Sequence, residues 1–493
     1  MKLAQLVDNM EYKLVSGSLE AEVKNLTSDS RKVEKNTAFV CIVGAVSDGH
    51  RFIPEVVEKG ASVIVVQEGI ELPEIPKEVT VVSCESTRLA LALMSAAYFD
   101  HPAEKLFTVG ITGTKGKTTT TYMIRNVLEA CGIKTGLIGT IETIIGEDKT
   151  PSCNTTPESY QIHETFAKMV EAGCKAVVME VSSQGLKLDR TAGIMFDIGV
   201  FTNLSPDHIG PHEHDSFDEY LACKAKLFKQ CKVGIINADD EHAERIVEGC
   251  TCKIEKYGIT DKADLRATEI NLLHERGQIG LTYHCSGLMN MDVRLSLPGK
   301  FSVYNSLCAI AVTRHFNVDE EVLKEKLYDV KVKGRIELVK VSDQFTLMID
   351  YAHNAMALQS ILETLKEYHP HRLVCLFGCG GNRSKERRFE MGEVSGKLAD
   401  LTIITSDNPR FEEPEAIIED IKTGIAKTSG KHVDITDRKE AIKYAIAHGE
   451  PGDIIVLAGK GHEDYQEIRG VKHPMDERVL IAEVLEELKE ETK

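Results

Sequence analysis

A glycine-rich loop between an apolar run and a helical run is the feature that most constrains this chain. Residues 110–121 read GITGTKGKTTTT. The apolar segment Lys105–Ile111 before the loop is typical of a buried strand, and Tyr122–Ala130 after it has helical periodicity. A strand, a glycine turn and a helix N-terminus together form an anion site, because backbone N–H groups and the helix dipole point at one place. We therefore interpret the loop as an ATP site.

Each residue type in the loop suits a different part of a nucleotide triphosphate. Gly113 and Gly116 allow the backbone to approach the phosphates, and Lys117 meets the charge of the outer phosphate. Thr118 offers its hydroxyl to Mg²⁺. The usual loop has a further glycine where Ile111 stands, so the alternative is an ordinary surface turn. The loop residues that we expect at ATP are Gly113, Thr114, Lys115, Gly116, Lys117, Thr118 and Thr119.

Length and charge restrict the class of protein. A chain of 493 residues with 42% hydrophobic residues is expected to form about three domains with real cores. The net charge of −18 argues against nucleic acid or an anionic membrane as a partner, since both would repel the protein. A small nucleotide substrate remains compatible, because a few local Lys and Arg residues decide its binding.

Cysteine usage and the N-terminus indicate the compartment. The thirteen cysteines lack disulfide-like spacing, so we expect thiols in a reducing compartment rather than disulfides or a zinc site. The first residues, MKLAQLVDNMEYKL, lack the apolar core of a signal peptide, and no apolar run has membrane-spanning length. The sequence predicts a cytoplasmic protein, which we expect to be a monomer.

Alternating apolar and helical runs predict an α/β fold in three domains. Residues 1–100 form a small N-terminal α/β block, which ends near His101–Pro102. Residues 101–333 carry the loop and the rhythm of a parallel, P-loop ATPase-like sheet. Residues 334–493 repeat that alternation and predict a C-terminal Rossmann-like domain.

Polar residues follow several apolar runs of the central block. Glu180 lies at the C-terminal end of the strand predicted at Ala176–Val181, where a parallel sheet places its ligands, and a carboxylate beside a phosphate loop is a natural Mg²⁺ ligand. His208 follows the next run, although a lone histidine is more often structural. Lys224 lies on an amphipathic helix, Tyr220–Phe228, and its residue type and spacing favour a solvated basic face.

The third block has four polar loops, each after an apolar strand. They are Asp350–Asn354, Gly378–Arg383, Asp407–Arg410 and Gly459–Glu463. One such loop could arise by chance, but four at one edge of a sheet describe a binding face.

The ordered set of motifs resembles the Mur ligases of peptidoglycan synthesis. It comprises GTKGKTT, EVSS, TNLSPDH, YLACKAKLF, Gly334–Arg335, DYAH and DNPR, and it extends from Asp29–Arg31 to GKGHEDYQ at 459–466. The motifs are most similar to those of the members that add meso-2,6-diaminopimelate to UDP-N-acetylmuramoyl-L-alanyl-D-glutamate. The resemblance implies a uridine-nucleotide domain, an ATPase domain and an amino-acid domain, with roles in cell wall biogenesis, cell shape and cell division.

The implied reaction is ATP-driven amide formation through an acyl phosphate. The resemblance implies two magnesium ions, one at Thr118 and Glu180 and a second at His208 and Lys224. Lys224 would carry a carbamate formed with CO₂, which reverses the interpretation of that lysine as solvated. Carbamylation needs the neutral amine, so nearby cations such as Lys226 and partial burial would favour it.

The resemblance also assigns the remaining site residues. Asn305, Arg335 and Asp350 would hold the adenosine end of ATP. The UDP-muramoyl dipeptide would contact Ser28, Ser30, the Gly44–Ser47 loop, Asn154, Thr155, Thr156, Ser182 and Arg190. Diaminopimelate would contact Arg383, Asp407, Asn408, Pro409, Arg410, Gly459 and Glu463. Arg410 would select diaminopimelate over lysine, because its planar fork pairs with a carboxylate that lysine lacks.

Three alternatives remain open at this point. The first is the same ligase with L-lysine as the added residue. The second is a ligase similar to folylpolyglutamate synthetase, which shares the ATPase core but lacks the N-terminal uridine domain. The third is a P-loop binding or regulatory protein that hydrolyses ATP without ligation, although such a protein needs no amino-acid pocket.

Overall fold

The computed structural model describes residues 1–44, 47–207, 209–210, 213–275 and 278–491. Its sheets have five, eleven, six and two strands, with helices between them, so the predicted α/β class is confirmed. The chain divides into two compact units, residues 1–266 with 307–319 and residues 267–306 with 320–493. These units do not follow the three blocks inferred from the sequence, so the three-domain division stays a prediction.

The N-terminal residues form a five-stranded sheet with buried side chains on both faces. Its strand order is β1-β5-β4-β3-β2, parallel except for β1. Successive side chains of a strand alternate between faces, so Phe39 and Ile64 pack on one side and Val40 and Val63 on the other. The elements are α1 (Leu3–Leu6), β1 (Lys13–Ser16), β2 (Asn25–Thr27), β3 (Thr37–Val40), α2 (Ile53–Glu58), β4 (Ala61–Gln67), β5 (Thr80–Cys84) and α3 (Thr87–Tyr98).

The central residues form a parallel sheet around the glycine loop. The strand order β13-β12-β11-β6-β10-β7 is parallel, and β8 and β9 add an antiparallel edge. The elements are β6 (Phe107–Thr112), α4 (Lys117–Ala130), β7 (Thr135–Ile138), β8 (Glu142–Ile145), β9 (Asp148–Pro151), α5 (Ser159–Glu171), β10 (Ala176–Glu180), α6 (Ser183–Lys187), β11 (Phe196–Phe201), α7 (Phe217–Ala225), β12 (Cys231–Asn237), α8 (Ala243–Ile246), β13 (Lys253–Gly258), β14 (Leu265–Glu275), β15 (Gln278–Gly287), β16 (Met291–Leu295) and α9 (Lys300–Thr313).

The C-terminal sheet has the strand order β17-β18-β22-β19-β20-β21, with all neighbours parallel except β17 and β18. Its apolar strands are covered by helices on both faces. The elements are α10 (Glu320–Tyr328), β17 (Glu337–Val339), β18 (Thr346–Asp350), α11 (Ala355–Lys366), β19 (Leu373–Phe377), α12 (Lys385–Leu398), β20 (Leu401–Ile404), α13 (Pro414–Ile425), β21 (His432–Asp434), α14 (Arg438–Ala447), β22 (Ile454–Ala458), β23 (Tyr465–Ile468), β24 (Val471–Pro474) and α15 (Glu477–Glu491).

Helices and strands agree with the sequence expectations where apolar periodicity is strong. Strand β10 ends at Glu180, as expected. Strands β14, β15 and β16 had no counterpart in the prediction, because their exposed polar residues weaken the apolar signal. Within the described ranges, no helix is both long and apolar enough to cross a bilayer.

Candidate active site

Two glycines shape the loop between β6 and α4. The φ angle of Gly113 is 147°, and a Cβ there would lie 1.9 Å from Thr202 Oγ1. Gly116 caps α4 with a φ of 87°, in the left-handed region that favours glycine. The helix begins at Lys117, earlier than the predicted start at Tyr122. The loop lysine therefore lies in the first helical turn, whose N–H groups face outward toward an anion.

Thr118 and Glu180, the first predicted magnesium pair, lie together. Thr118 Oγ1 donates to Glu180 Oε2 at 3.0 Å, and Glu180 is buried at the end of β10. The same carboxylate accepts from the backbone N of Thr140 at 2.8 Å and from Thr140 Oγ1 at 2.9 Å. Sequence reasoning missed Thr140. Thr140 comes shortly after the apolar strand β7, but its residue type and spacing do not indicate that it contacts a buried carboxylate.

Lys224 is fully buried on α7, so the interpretation of this residue as part of a solvated basic face is wrong. Its Nζ donates to Gly113 O at 3.0 Å and lies 4.4 Å from the centre of the Tyr220 ring. Burial lowers the pKa of Lys224 well below its usual value, and the charge of Lys117 lowers it further. The neighbouring cation is thus Lys117 rather than the expected Lys226, which donates to Leu186 O at 3.1 Å.

The residues assigned to the muramoyl dipeptide cluster beside Glu180. Thr156 Oγ1 donates to Glu180 O at 3.0 Å and accepts from Ser182 N at 2.9 Å. Arg190 Nη1 donates to Thr156 O at 2.9 Å, and Thr155 Oγ1 lies 3.0 Å from Thr140 Oγ1. Asn154 is exposed nearby in the chain, and His208 lies outside the described residues.

The N-terminal residues assigned to uridine lie on a separate polar turn. Ser28 is exposed, and Ser30 begins a 3₁₀ turn that Asp29 caps. Hydrogen bonds from Arg31 lower the pKa of Asp29 to about 2. In the Gly44–Ser47 loop, Gly44 N donates to Ser47 O at 2.9 Å, and residues 45 and 46 lie outside the described residues.

The adenosine residues belong to the second unit. Asp350 ends β18 and accepts from Ile336 N and Ala352 N, each at 2.9 Å, while burial raises its pKa. The Arg335 guanidinium lies 4.5 Å from the centre of the Tyr351 ring. Asn305 is buried on α9. Their contact with ATP stays a prediction.

The four polar loops of the third block follow β18, β22, β19 and β20, which are adjacent parallel strands. Their common edge, predicted from sequence, is therefore confirmed. Asn408 Nδ2 donates to Glu463 Oε2 at 2.9 Å, and Lys460 Nζ donates to the same oxygen at 2.8 Å. Asp407 Oδ1 accepts from Asn408 N at 2.6 Å, and a Cβ on Gly459 would lie 3.2 Å from Asp407 Oδ2.

Arg410 is half-buried and fixed by three contacts. Its Nη1 donates to Gly381 O at 2.8 Å, its Nε lies 3.1 Å from Glu467 Oε2, and its backbone N donates to Glu467 O at 2.9 Å. The expectation that Arg410 selects diaminopimelate over lysine assumed that its guanidinium has no partner when the ligand lacks a second carboxylate. Glu467 already supplies part of the negative charge that such a ligand would bring. Arg383 is exposed on the neighbouring loop, and Pro409 precedes Arg410.

Two buried arginines that sequence reasoning missed, Arg438 and Arg388, support the loop edge of the C-terminal sheet. Arg438 Nε donates to Glu477 Oε1 at 2.9 Å, and its two Nη atoms donate to Ser406 O and Ala458 O at 3.1 Å. Arg388 pairs with Glu412 at 2.7 Å and Asp420 at 2.8 Å. Both arginines lie in helices, where arginine is normally exposed to solvent, so the apolar periodicity of the sequence did not indicate that they are buried.

Comparison with known families covers most of the chain. Residues 22–99 match the Mur ligase family catalytic domain, residues 111–313 the Mur ligase middle domain, and residues 334–461 the Mur ligase glutamate ligase domain. The three matched segments follow one another along the chain.

Curated relatives extend over the full length. The UDP-N-acetylmuramoyl-L-alanyl-D-glutamate–2,6-diaminopimelate ligase 1 of Clostridium acetobutylicum is 43% identical and covers 99% of this chain and 100% of its own. The ligase of that name from Clostridium perfringens is 41% identical with the same coverage. A solved structure of a 2,6-diaminopimelate ligase has a TM-score of 0.74 at 28% identity and covers 99% of both chains.

A folylpolyglutamate synthase of Mycobacterium tuberculosis shares the fold at 18% identity, with a TM-score of 0.58. It covers 76% of this chain and 92% of its own. The full-length relatives, by contrast, match the N-terminal block as well as the rest. On the strength of these matches, the chain belongs to the Mur ligase family.

Proposed function

We propose that this chain is an ATP-dependent ligase that joins meso-2,6-diaminopimelate to UDP-N-acetylmuramoyl-L-alanyl-D-glutamate. The observation that carries the proposal is the group around the glycine loop, where Thr118 contacts the buried Glu180 and Lys224 contacts Gly113. The names of the relatives that are 37–43% identical over nearly the whole chain supply the substrate class.

The oxygen ligands beside the loop fit a magnesium ion. A hydroxyl and a carboxylate oxygen lie 3.0 Å apart, and Mg²⁺ prefers few protein oxygens together with phosphate and water. Mg²⁺ bound by Thr118 and Glu180 would neutralise charge on the ATP phosphates. Lys117 meets the charge of the transferring phosphoryl group from the first turn of α4. The γ-carboxylate of the D-glutamyl residue attacks that phosphoryl group, which gives an acyl phosphate and ADP.

Lys224 has the surroundings that carbamate formation requires. Burial and Lys117 favour its neutral amine, which is the form that attacks CO₂. The ammonium first gives up one proton to solvent, and the neutral amine loses a second as the N–C bond forms and one C=O π bond of CO₂ opens, so that a cation becomes an anion. That anion, together with His208, would hold the second Mg²⁺.

The amine of the amino acid then attacks the acyl phosphate, and inorganic phosphate leaves as the amide forms. The C-terminal face would hold this amino acid through Asn408, Arg410 and Glu463, which follow β20 and β22, the strands on either side of β19. A carboxylate at the far end of diaminopimelate would pair with the Arg410 guanidinium and balance the part of its positive charge that Glu467 does not. The runner-up is the same reaction with L-lysine, which has no such carboxylate.

Phosphate release by the purified protein tests the proposal. We expect release only when ATP, the UDP-muramoyl dipeptide and meso-diaminopimelate are all present. Lys117→Ala should abolish release, because the phosphoryl charge loses its cation, while the circular dichroism spectrum stays that of the wild type. Release that needs ATP alone would favour a simple ATPase, and near-normal turnover by Lys117→Ala would refute the loop assignment.

A further inference from the structure

The ammonium group of Lys460 is fully buried beneath the amino-acid face. Its Nζ lies 2.9 Å from Asn408 Oδ1, 2.8 Å from Glu463 Oε2 and 2.5 Å from Tyr465 O. Lysine has three N–H donors, so these three acceptors use all of them. Lys460 therefore has no donor left for a substrate, and any influence on substrate binding must act through its partners.

Asn408 is the first of these partners. Its Oδ1 accepts from Lys460 Nζ and from Glu467 N, both at 2.9 Å, so two donors converge on the oxygen. A flipped amide would place N–H groups against an ammonium and a backbone N–H, which is unfavourable. The amide nitrogen is therefore turned toward Glu463, to which it donates one of its two N–H groups.

Glu463 is the second partner. Burial raises its pKa, but Lys460 and the bond from Asn408 outweigh burial, so its pKa lies below the usual value. The other titratable groups that face it are His462, on its own turn, and Tyr351, after β18. Burial lowers the pKa of His462 to about 4, so this imidazole is neutral at physiological pH. Lys460 is thus the cation that keeps Glu463 ionised.

We propose that Lys460 is a positioning residue for the added amino acid, which it orients through Asn408 and Glu463. The bonds described above use Glu463 Oε2 and one N–H of Asn408. The second N–H of Asn408 and Glu463 Oε1 then present one donor and one anionic acceptor side by side. That pair suits a zwitterionic end, with its carboxylate on Asn408 and its ammonium on Glu463. The inference rests on the proposed function, because it concerns the amino acid of that reaction.

Steady-state kinetics of Lys460→Met test the proposal. We expect the KM for meso-diaminopimelate to rise by about 100-fold, as for the loss of a buried charged hydrogen bond. The KM values for ATP and the UDP-muramoyl dipeptide should stay within about twofold of the wild type, because the three acceptors of Lys460 belong to Asn408, Glu463 and Tyr465, none of which is assigned to either substrate. The acid limb of kcat/KM for the amino acid should move to higher pH, because Glu463 would protonate more readily without its cation.

Lys472→Met is the matched control. Lys472 is exposed on β24 and lies 3.9 Å from the centre of the Tyr465 ring, so this variant removes a nearby cation without touching Asn408 or Glu463. It should leave every KM and the pH profile unchanged. If Lys460→Met does not fold, Lys460→Gln keeps a donor for Asn408 but no charge, and the shift of the acid limb should remain.

An unchanged KM for the amino acid, or an equal rise in all three KM values with no shift of the acid limb, would overturn the positioning role. Failure of the proposed function looks different. In that case the wild-type protein itself would not ligate the amino acid, whatever residue occupies position 460.

Discussion

The glycine loop after β6 and the polar face at the ends of β18, β22, β19 and β20 surround their cations with opposite kinds of partner. At the loop, Lys117 and Lys224 both donate to Gly113 O, at 2.7 and 3.0 Å. At the C-terminal face, Lys460 lies 2.8 Å from Glu463 and Arg410 lies 3.1 Å from Glu467. One region brings cations together at a backbone dipole, whereas the other pairs each of these cations with a carboxylate.

The difference indicates what each region is built to receive. Two ammonium groups at one carbonyl repel each other, which favours the neutral form of the buried lysine and the arrival of anions. Cations that are already paired attract a polyanion far less, so such a face suits a ligand of balanced charge. This contrast supports the proposed phosphate chemistry at the first region and the proposed zwitterionic amino acid at the second.

Replacing Lys224 should have the largest effect. We expect Lys224→Ala to lower kcat by about 1,000-fold or more, because an anionic ligand for magnesium would be lost at the reacting phosphate. Lys224→Arg should be equally poor, since it keeps the charge but cannot form the carbamate. Short-chain carboxylic acids should partly restore Lys224→Ala, as measured by phosphate release. Lys229→Ala, at an exposed lysine on the next turn, is the control; an active Lys224→Arg would contradict the carbamate.

Arg410→Ala tests whether Arg410, although paired with Glu467, selects diaminopimelate over lysine. The wild type should prefer meso-diaminopimelate to lysine, and the variant should lose about 10- to 100-fold of that preference in kcat/KM, as for one charged hydrogen bond. Because Arg410 is already paired with Glu467, we expect its removal to cost less of this preference than removal of an unpaired arginine would. Arg469→Ala removes a neighbouring, exposed arginine and should change nothing. Equal selectivity in wild type and Arg410→Ala would show that another residue selects.

The smallest effect is on stability, at the carboxylate that pairs with Arg388. Hydrogen bonds from Arg388 lower the pKa of Glu412 to about 2. The pKa of a glutamate in the unfolded chain is about 4.3. Because the pKa of Glu412 is lower in the folded state, its ionised carboxylate stabilises the fold at pH values above about 4.3, and this stabilisation is lost as the pH falls toward 2. Glu412→Gln should therefore cost about 1–2 kcal/mol at pH 7, reduced by partial solvent exposure, and progressively less below pH 4.5.

Thermal melts at pH 7 and pH 3.5 measure this difference. Glu413→Gln, at the adjacent exposed carboxylate, should melt like the wild type at both values. A deficit of Glu412→Gln that does not shrink in acid would mean that charge pairing at this face is not what stabilises it.

Local patterns predicted the parts of the site that lie within one strand–loop–helix unit. The glycine loop, Glu180 at the end of β10 and the four polar loops at one edge all depend on apolar periodicity followed by a polar turn. Thr140 and Lys460 were missed, although each follows a strand, because nothing local distinguishes a buried partner from a solvated one. Lys224 shows the same limit, since helical spacing indicated a solvated face and only packing buries it.

By itself the sequence determined the α/β class, the order of the phosphate and polar loops along the chain, and, through the ordered motifs, the family. These properties depend on residue type and short-range spacing, which the chain carries wherever it is placed. The tertiary structure decided which charges meet, from Lys117 with Lys224 at Gly113 to Lys460 with Asn408 and Glu463. Lys460 and Asn408 are 52 positions apart in sequence, and both burial and charge interaction depend on distance in space rather than on distance along the chain.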